Sequence, residues 1–214
     1  MLTPRRDPGK TATITEPAAG LALSAEAQDL RFREARTANA FTDEPVSDEQ
    51  MRAVYDLMKY APTSMNTSPL RIVLVRSPEA RERLVAHMSD RNRPKTAAAP
   101  LVAILAADLD FHEHLRKLVP HRPGAKDVFA DDAKRAASAR FNATLQAGYF
   151  ILAVRAAGLA VGPMTGYDGA GINAEFFGDG RHSVLAVVNI GKPGEDAWFA
   201  RAPRLDYDEA VSSV

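Results

Sequence analysis

The chain has 214 residues, 46% of them hydrophobic and 25% charged, with no cysteine, and its 27 Lys and Arg balance its 27 Asp and Glu. That length suits one domain with a sizeable core, and the balanced charge gives no whole-molecule field to draw nucleic acid or an acidic membrane. Without cysteine there are no disulfides, thiolate nucleophiles, cysteine-ligated zinc or ordinary iron–sulfur clusters, and no apolar run reaches the roughly 18 residues that would span a bilayer. Any redox chemistry must then come from a bound organic cofactor or from a metal held by nitrogen and oxygen.

Residues 1–20 mix Pro, Thr, Gly and charge without the apolar core of a secretory signal. They read as a flexible or loosely docked extension, of a kind that also wraps partner subunits, ahead of a single domain over 21–214. From Leu21 to about Ala38 the composition is helical, with Ser24 as N-cap. After a loop over 41–46, Ser47-Asp48-Glu49-Gln50 has the spacing of a capping box. Met51, Val54, Leu57, Met58 and Ala61 then recur at helical steps, giving a helix with one buried face.

The stretch Ala61-Pro62-Thr63-Ser64-Met65-Asn66-Thr67-Ser68-Pro69 follows that helix. Each proline fixes φ and restricts the residue before it, so the hydroxyls and amide between them are held in a defined shape that suits a planar polar ligand. The same residues would also serve an ordinary helix-to-strand connector, satisfying backbone groups. Next come a buried strand over 70–75 and a helix to about Met88, with Ser77 as N-cap and Pro78 at its first position. The polar segment Ser89 to Thr96 leads into a second strand over 100–107 with little alternation, as expected when both faces are covered.

Residues 108–131, with Phe111, His112, His114, Pro120, His121, Pro123 and Gly124, read as a mobile excursion suited to a lid or substrate-selecting loop. Asp131-Asp132 open a long helix that stops at Gly158. Its half from Ala143 to Ala157 is apolar on nearly every side, which requires burial inside the subunit or against a second copy. Strand, turn and a short helix near 174–177 follow from Leu159, then a strand over 184–190 and a tail with Trp198 and Phe199 as anchors.

Tested against known chemistry, Gly191-Lys192 lacks the rest of a phosphate-binding loop, and the glycines at 162, 166, 169 and 171 do not give a dinucleotide fingerprint. G-x-S-x-G is absent. His112-Glu113-His114 with His121 could ligate a metal, but lacks the helical H-E-x-x-H spacing, and a His pair in a polar loop is more often simply solvent-exposed, so no metal is assigned. Three polar sites remain: Arg36-Thr37-Ala38-Asn39, the loop over 62–69, and Gly162 to Gly166, with Arg201 and Arg204 near the tail. Guanidinium groups can hold a phosphate, the Asn66 amide can pair with ring or ribityl oxygens, and a glycine turn lets backbone N–H groups approach a ring nitrogen.

In this order the sites resemble the nitroreductase superfamily of FMN-dependent oxidoreductases, from Arg36 to the end of the chain. The family's phosphate-binding segment R-S-x-R-x-F is similar to Arg36-Thr37-Ala38-Asn39-Ala40-Phe41, and its P-S-x-x-N-x-Q-P loop to Pro62-Thr63-Ser64-Met65-Asn66-Thr67-Ser68-Pro69. Its turn facing flavin N5 looks like Pro163-Met164-Thr165-Gly166, and a late phosphate-binding basic residue falls at Arg204. Within the family, Asp43-Glu44-Pro45-Val46-Ser47-Asp48, Pro62-Thr63-Ser64, Arg76-Ser77-Pro78-Glu79-Ala80 and Gly162-Pro163-Met164-Thr165-Gly166-Tyr167-Asp168 resemble the malonic semialdehyde reductase branch. Asn39 and Ser68 depart from it, standing where many members carry a basic residue and a Gln, which implies a weaker cationic contribution near the cofactor.

The resemblance implies an α+β sandwich with a central antiparallel-type sheet flanked by helices, in an intertwined homodimer. FMN would lie at the subunit interface, with the 62–69 loop contacting the flavin of the other subunit. It also implies a cytoplasmic, ping-pong oxidoreductase with NADH or NADPH as donor. The expected acceptor is a small carbonyl compound, malonic semialdehyde giving 3-hydroxypropionate, with nitroaromatics or quinones, or flavin binding without turnover, as alternatives. The implied cofactor contacts are Arg36, Thr37, Asn39, Pro62, Thr63, Ser64, Asn66, Pro163, Met164, Thr165, Gly166 and Arg204. No catalytic side chain is named, since flavin N5 carries the hydride; Tyr167 and a water are possible proton donors. Arg71 and the His112–Gly124 excursion are candidates for recognising an acidic substrate.

Overall fold

The computed structural model describes residues 20–214; the expected N-terminal extension lies outside the described residues, apart from Gly20. Four strands, β1 (Leu70–Val75), β2 (Leu101–Asp108), β3 (Ala160–Met164) and β4 (His182–Gly191), form one sheet in the order β1-β2-β4-β3. Every neighbouring pair is antiparallel, so the expected α+β sandwich around an antiparallel sheet is what the chain builds.

The unalternating sequence of β2 has a simple cause. All eight of its residues are buried, and because side chains point to opposite faces, Leu101, Ala103, Leu105 and Ala107 enter one core while Val102, Ile104 and Ala106 enter the other. Helices α2 (Asp48–Met58) and α6 (Asp132–Ala156) cover the first face. The second is covered by α3 (Pro78–His87) and α7 (Gly169–Phe176).

Local signals set the helix ends. The Ser47–Gln50 capping box is formed in both directions. Ser77 and Asp131 each accept an N-cap hydrogen bond, and Gly158 stops α6 at φ +72°. In other places tertiary structure overrides composition. Leu21 to Ala38 is not one helix: α1 (Ala25–Gln28) passes into a π turn over Asp29–Arg33, and the chain then extends because Thr37 pairs with Val161 of β3. Ser89 to Thr96 contains the start of a further helix, α4 (Arg93–Ala98), and α7 begins five residues before the expected 174, where Asp168 caps it.

The 108–131 excursion is anchored instead of free. It folds into short helical turns, including α5 (Leu115–Leu118), and buries Phe111, Leu115, Val119, Ala125 and Phe129, with the rings of Phe111 and Phe129 edge-to-face at 4.8 Å. α6 is two-sided. Ala139, Ala143, Phe150 and Val154 are buried, whereas Phe141, Leu145 and Tyr149, four residues apart, lie exposed. Among the described residues no helix is long and apolar enough to cross a membrane.

Candidate functional site

The extended segment over 36–41 runs along the outer edge of β3, where the Ala38 amide donates to the Val161 carbonyl at 2.8 Å. Such closeness needs a glycine on the strand: a Cβ at Gly162 would lie 2.5 Å from the Ala38 carbonyl oxygen. The Asn39 amide in turn donates to the Ala197 carbonyl at 2.9 Å, which brings the start of the tail alongside. Arg36 stacks over Trp198 with its guanidinium carbon 5.8 Å from the ring centroid and donates to the Phe199 carbonyl at 3.2 Å. Arg201 bonds the Arg33 and Ala35 carbonyls, and Arg204 those of Ala202 and Pro203.

These contacts shape a cavity of about 220 Å3 whose wall includes Arg36, Thr37, Asn39, Arg155, Arg201 and Arg204, with no carboxylate. Four arginines therefore line one small space. Arg155, at the end of α6, is pushed below the usual arginine range by burial and then by the nearby Arg201 charge, and its buried Nε has no hydrogen-bond partner among the described residues. An anion in this cradle would relieve the repulsion between the arginines.

From Val161, β3 leads in about 3.3 Å steps to Pro163, Met164, Thr165 and Gly166. The turn is fixed from behind, because the Gly166 carbonyl accepts from the Ser89 amide and the Asn92 side chain, both at 3.0 Å. A Cβ at Gly166 would meet those same neighbours, Asn92 Nδ2 at 2.7 Å and Ser89 Oγ at 2.8 Å. Met164 is buried, while Thr165 is exposed at the turn. Tyr167 continues into the second core; its ring lies against Gly169 and burial pushes its phenol above the usual range.

Asn39 does not stand alone. Lys95 of α4 places its ammonium 3.4 Å from Asn39 Oδ1, and its pKa is lowered by burial and then by Arg91. The Lys95 carbonyl also accepts from Asn189 of β4, directly opposite Gly162. A cation thus reaches this position from another element. Sequence reasoning missed Lys95, Asn92 and Arg155. The first two lie in a segment read as a polar connector, and the third in a helix read for its apolar content, although an arginine just before a helix-stop glycine is a usable signal.

The loop over 62–69 is built differently and stands elsewhere. Ser64 donates its amide to Asn142 Oδ1 at 2.7 Å, and the Asn66 side chain donates to the Leu118 carbonyl at 3.0 Å. Thr63 Oγ1 accepts from the Ser68 amide at 3.2 Å. Met65, Asn66 and Ser68 hold φ of 53°, 53° and 42°, a left-handed backbone unusual for residues other than glycine. Pro62, Ser64 and Asn66 are exposed. Asn142 and Arg155 are thirteen residues apart on α6, about 20 Å along the axis at 1.5 Å per residue. One chain therefore brings together 36–39, 162–166, Arg201 and Arg204 toward the C-terminal end of α6, and holds the loop over 62–69 against the middle of that helix.

Arg71, expected as a possible substrate contact, is taken up by structure. It donates to the Ser68 and Leu70 carbonyls and to buried Asp108 at 2.7 Å. His114 also faces Asp108, at 3.6 Å, and His112 faces Glu113 at 3.7 Å. Among the described residues no three His, Asp or Glu side chains are grouped as a metal would require.

The chain is similar to known proteins in sequence and in fold. A Streptomyces griseus protein provisionally named NADH dehydrogenase/NAD(P)H nitroreductase is 65% identical over 195 residues, covering 91% of this chain and 99% of its own. The fold matches a nitroreductase-type protein of Bacillus subtilis with a TM-score of 0.80 at 21% identity, covering 89% of this chain and 99% of that one. A nitroreductase-type protein of Exiguobacterium sibiricum, solved in complex with FMN, superposes with a TM-score of 0.78 at 19% identity over 89% of this chain and 98% of its own. With the Nitroreductase family profile matching residues 32–192 as well, the chain belongs to the nitroreductase family.

Proposed function

We propose that this chain is an FMN-dependent NAD(P)H oxidoreductase that works as a homodimer, each site formed by the arginine cradle of one copy and the 62–69 loop of the other. The observation that carries the reading is the four-arginine cavity, free of carboxylates, on the 36–39 segment that packs against Gly162. A mononucleotide phosphate fits it. Arg36, Arg201 and Arg204 would hold the phosphate, joined by the Thr37 hydroxyl. Lys95 and Asn39 would supply polar contacts further along, and the backbone of Pro163 to Gly166 would line the ring. FMN held by these residues would supply hydride-transfer chemistry between a reduced nicotinamide and a second substrate.

The names of relatives support donor and cofactor: the Streptomyces griseus protein is named for NAD(P)H, and the Exiguobacterium sibiricum structure contains FMN. Two features support the second copy. Phe141, Leu145 and Tyr149 leave an apolar stripe exposed on α6, and the loop presents Pro62, Ser64 and Asn66 outward, far along α6 from the cradle of its own chain. Against such a partner the loop's exposed hydroxyl and amide would face the ring. The acceptor we favour is a small carbonyl compound such as malonic semialdehyde, on the sequence resemblance to that branch. Nitroaromatic or quinone reduction is the second reading, favoured by the nitroreductase names of the relatives. No side chain is assigned as proton donor; Tyr167 is partly buried against the second core.

An anaerobic absorbance titration tests this. The protein is expected to take up FMN, to bleach on addition of NADH or NADPH, and to recover colour with malonic semialdehyde or a nitroaromatic compound. A protein that binds no FMN contradicts the assignment, and bound FMN that neither nicotinamide bleaches makes it a flavin-binding protein instead.

A further inference from the structure

The excursion between β2 and α6 carries a charge pattern that the site above does not use. From His114 to Lys126 there is no Asp or Glu, in a chain whose charges otherwise balance. Arg116, Lys117, His121 and Arg122 are all exposed, and among the described residues none of their side chains forms a salt bridge or hydrogen bond. The excursion is nonetheless fixed beneath them by buried Leu115, Val119 and Ala125. It is also tied to the 62–69 loop, because Asn66 donates to the carbonyl of Leu118, in the middle of the basic run. A rigid basic rim therefore stands beside the loop that faces the ring in the proposed dimer.

We infer that this rim docks the phosphates of the nicotinamide donor and favours the donor with the additional 2′-phosphate. The inference rests on the proposed placement of the 62–69 loop against FMN. A small acceptor has to lie on the ring, whereas these cations face solvent over seven residues. A ligand that meets both must be long, planar at one end and polyanionic at the other, which describes a phosphorylated dinucleotide. Exposed cations contribute modestly and are screened by salt, so three of them should alter donor binding by about tenfold at low ionic strength and little at high. The chemistry on the ring should not change.

The test is calorimetric binding of adenosine 2′,5′-bisphosphate and of 5′-AMP to the full chain, unaltered and as the R116Q/K117Q/R122Q triple variant, followed by steady-state kinetics. The bisphosphate is expected to bind the unaltered protein more tightly than 5′-AMP, and the triple variant to lose about tenfold of that affinity. The KM for NADPH should rise more than that for NADH with kcat unchanged, and the difference should fade in about 0.5 M salt. Equal binding of the two nucleotides, or a triple variant that behaves like the unaltered protein, overturns the inference. So does a KM increase confined to an acidic acceptor such as 4-nitrobenzoate, which would give the rim to the acceptor. Failure to bind FMN would contradict the proposed function instead, and the calorimetric preference is read without turnover.

Discussion

Arg204 tests the cradle most cleanly, because among the described residues its side chain donates only to the nearby Ala202 and Pro203 carbonyls, and it is exposed. Arg204→Gln should weaken FMN binding by about ten- to a hundredfold, the value of one charge-assisted contact, while riboflavin, which lacks the phosphate, should bind the variant and the unaltered protein alike. An equal loss for both would remove Arg204 from the phosphate site. Gly162 sets the other limit. Gly162→Ala drives a methyl against the Ala38 carbonyl, 2.5 Å away on backbone that cannot rotate aside, and a cost of about 1–3 kcal/mol follows from such overpacking. Chemical denaturation would show it, and an unchanged midpoint would mean that the 36–41 segment is not pinned to β3. At this scale the sequence was partly legible. The family resemblance pointed to Arg36, Thr37 and Arg204, which the fold gathers at one cavity, whereas Lys95 and Arg155 come near it only through α4 and α6, a proximity that no spacing in the chain encodes.

The helices that declared themselves early are those with their own punctuation. α2 and α3 start at Ser47 and Ser77 as their caps dictate, and α6 runs from Asp131 to the glycine stop at 158. The 21–38 region has helical composition but gives way to pairing with β3, since a backbone hydrogen bond to Val161 and the approach allowed by Gly162 outweigh weak propensity. The excursion failed as a mobile segment for the opposite reason: its apolar residues are too irregularly spaced to show a period, yet five of them reach the core. α6 carries a prediction of its own. Its stripe of Phe141, Leu145 and Tyr149 is exposed in one chain, so F141E/Y149E should shift the protein toward monomer in sedimentation velocity with helix content retained. Unchanged sedimentation would place the contact between copies elsewhere.

At the scale of the whole molecule, the fold sets the arginine cavity and the 62–69 loop about 20 Å apart along α6, and the proposed dimer would give the strained loop a purpose. Three left-handed residues other than glycine cost about 1–2 kcal/mol each, held by Asn142, Leu118 and Thr63. Strain of that kind concentrates at functional positions, yet here it presents Pro62, Ser64 and Asn66 to nothing in their own chain's cradle. In a two-fold dimer each copy would offer its loop to the other's arginines. Co-expression of a cradle-defective chain, R36Q/R204Q, with a loop-defective chain, S64A/N66A, each differently tagged, measures this directly. The doubly tagged hybrid is expected to be active, because one of its two sites receives both intact halves, and random pairing should restore about a quarter of normal site number in the mixture. A hybrid as inactive as its two parents would show that both halves must come from one chain, and the shared-site account would be wrong.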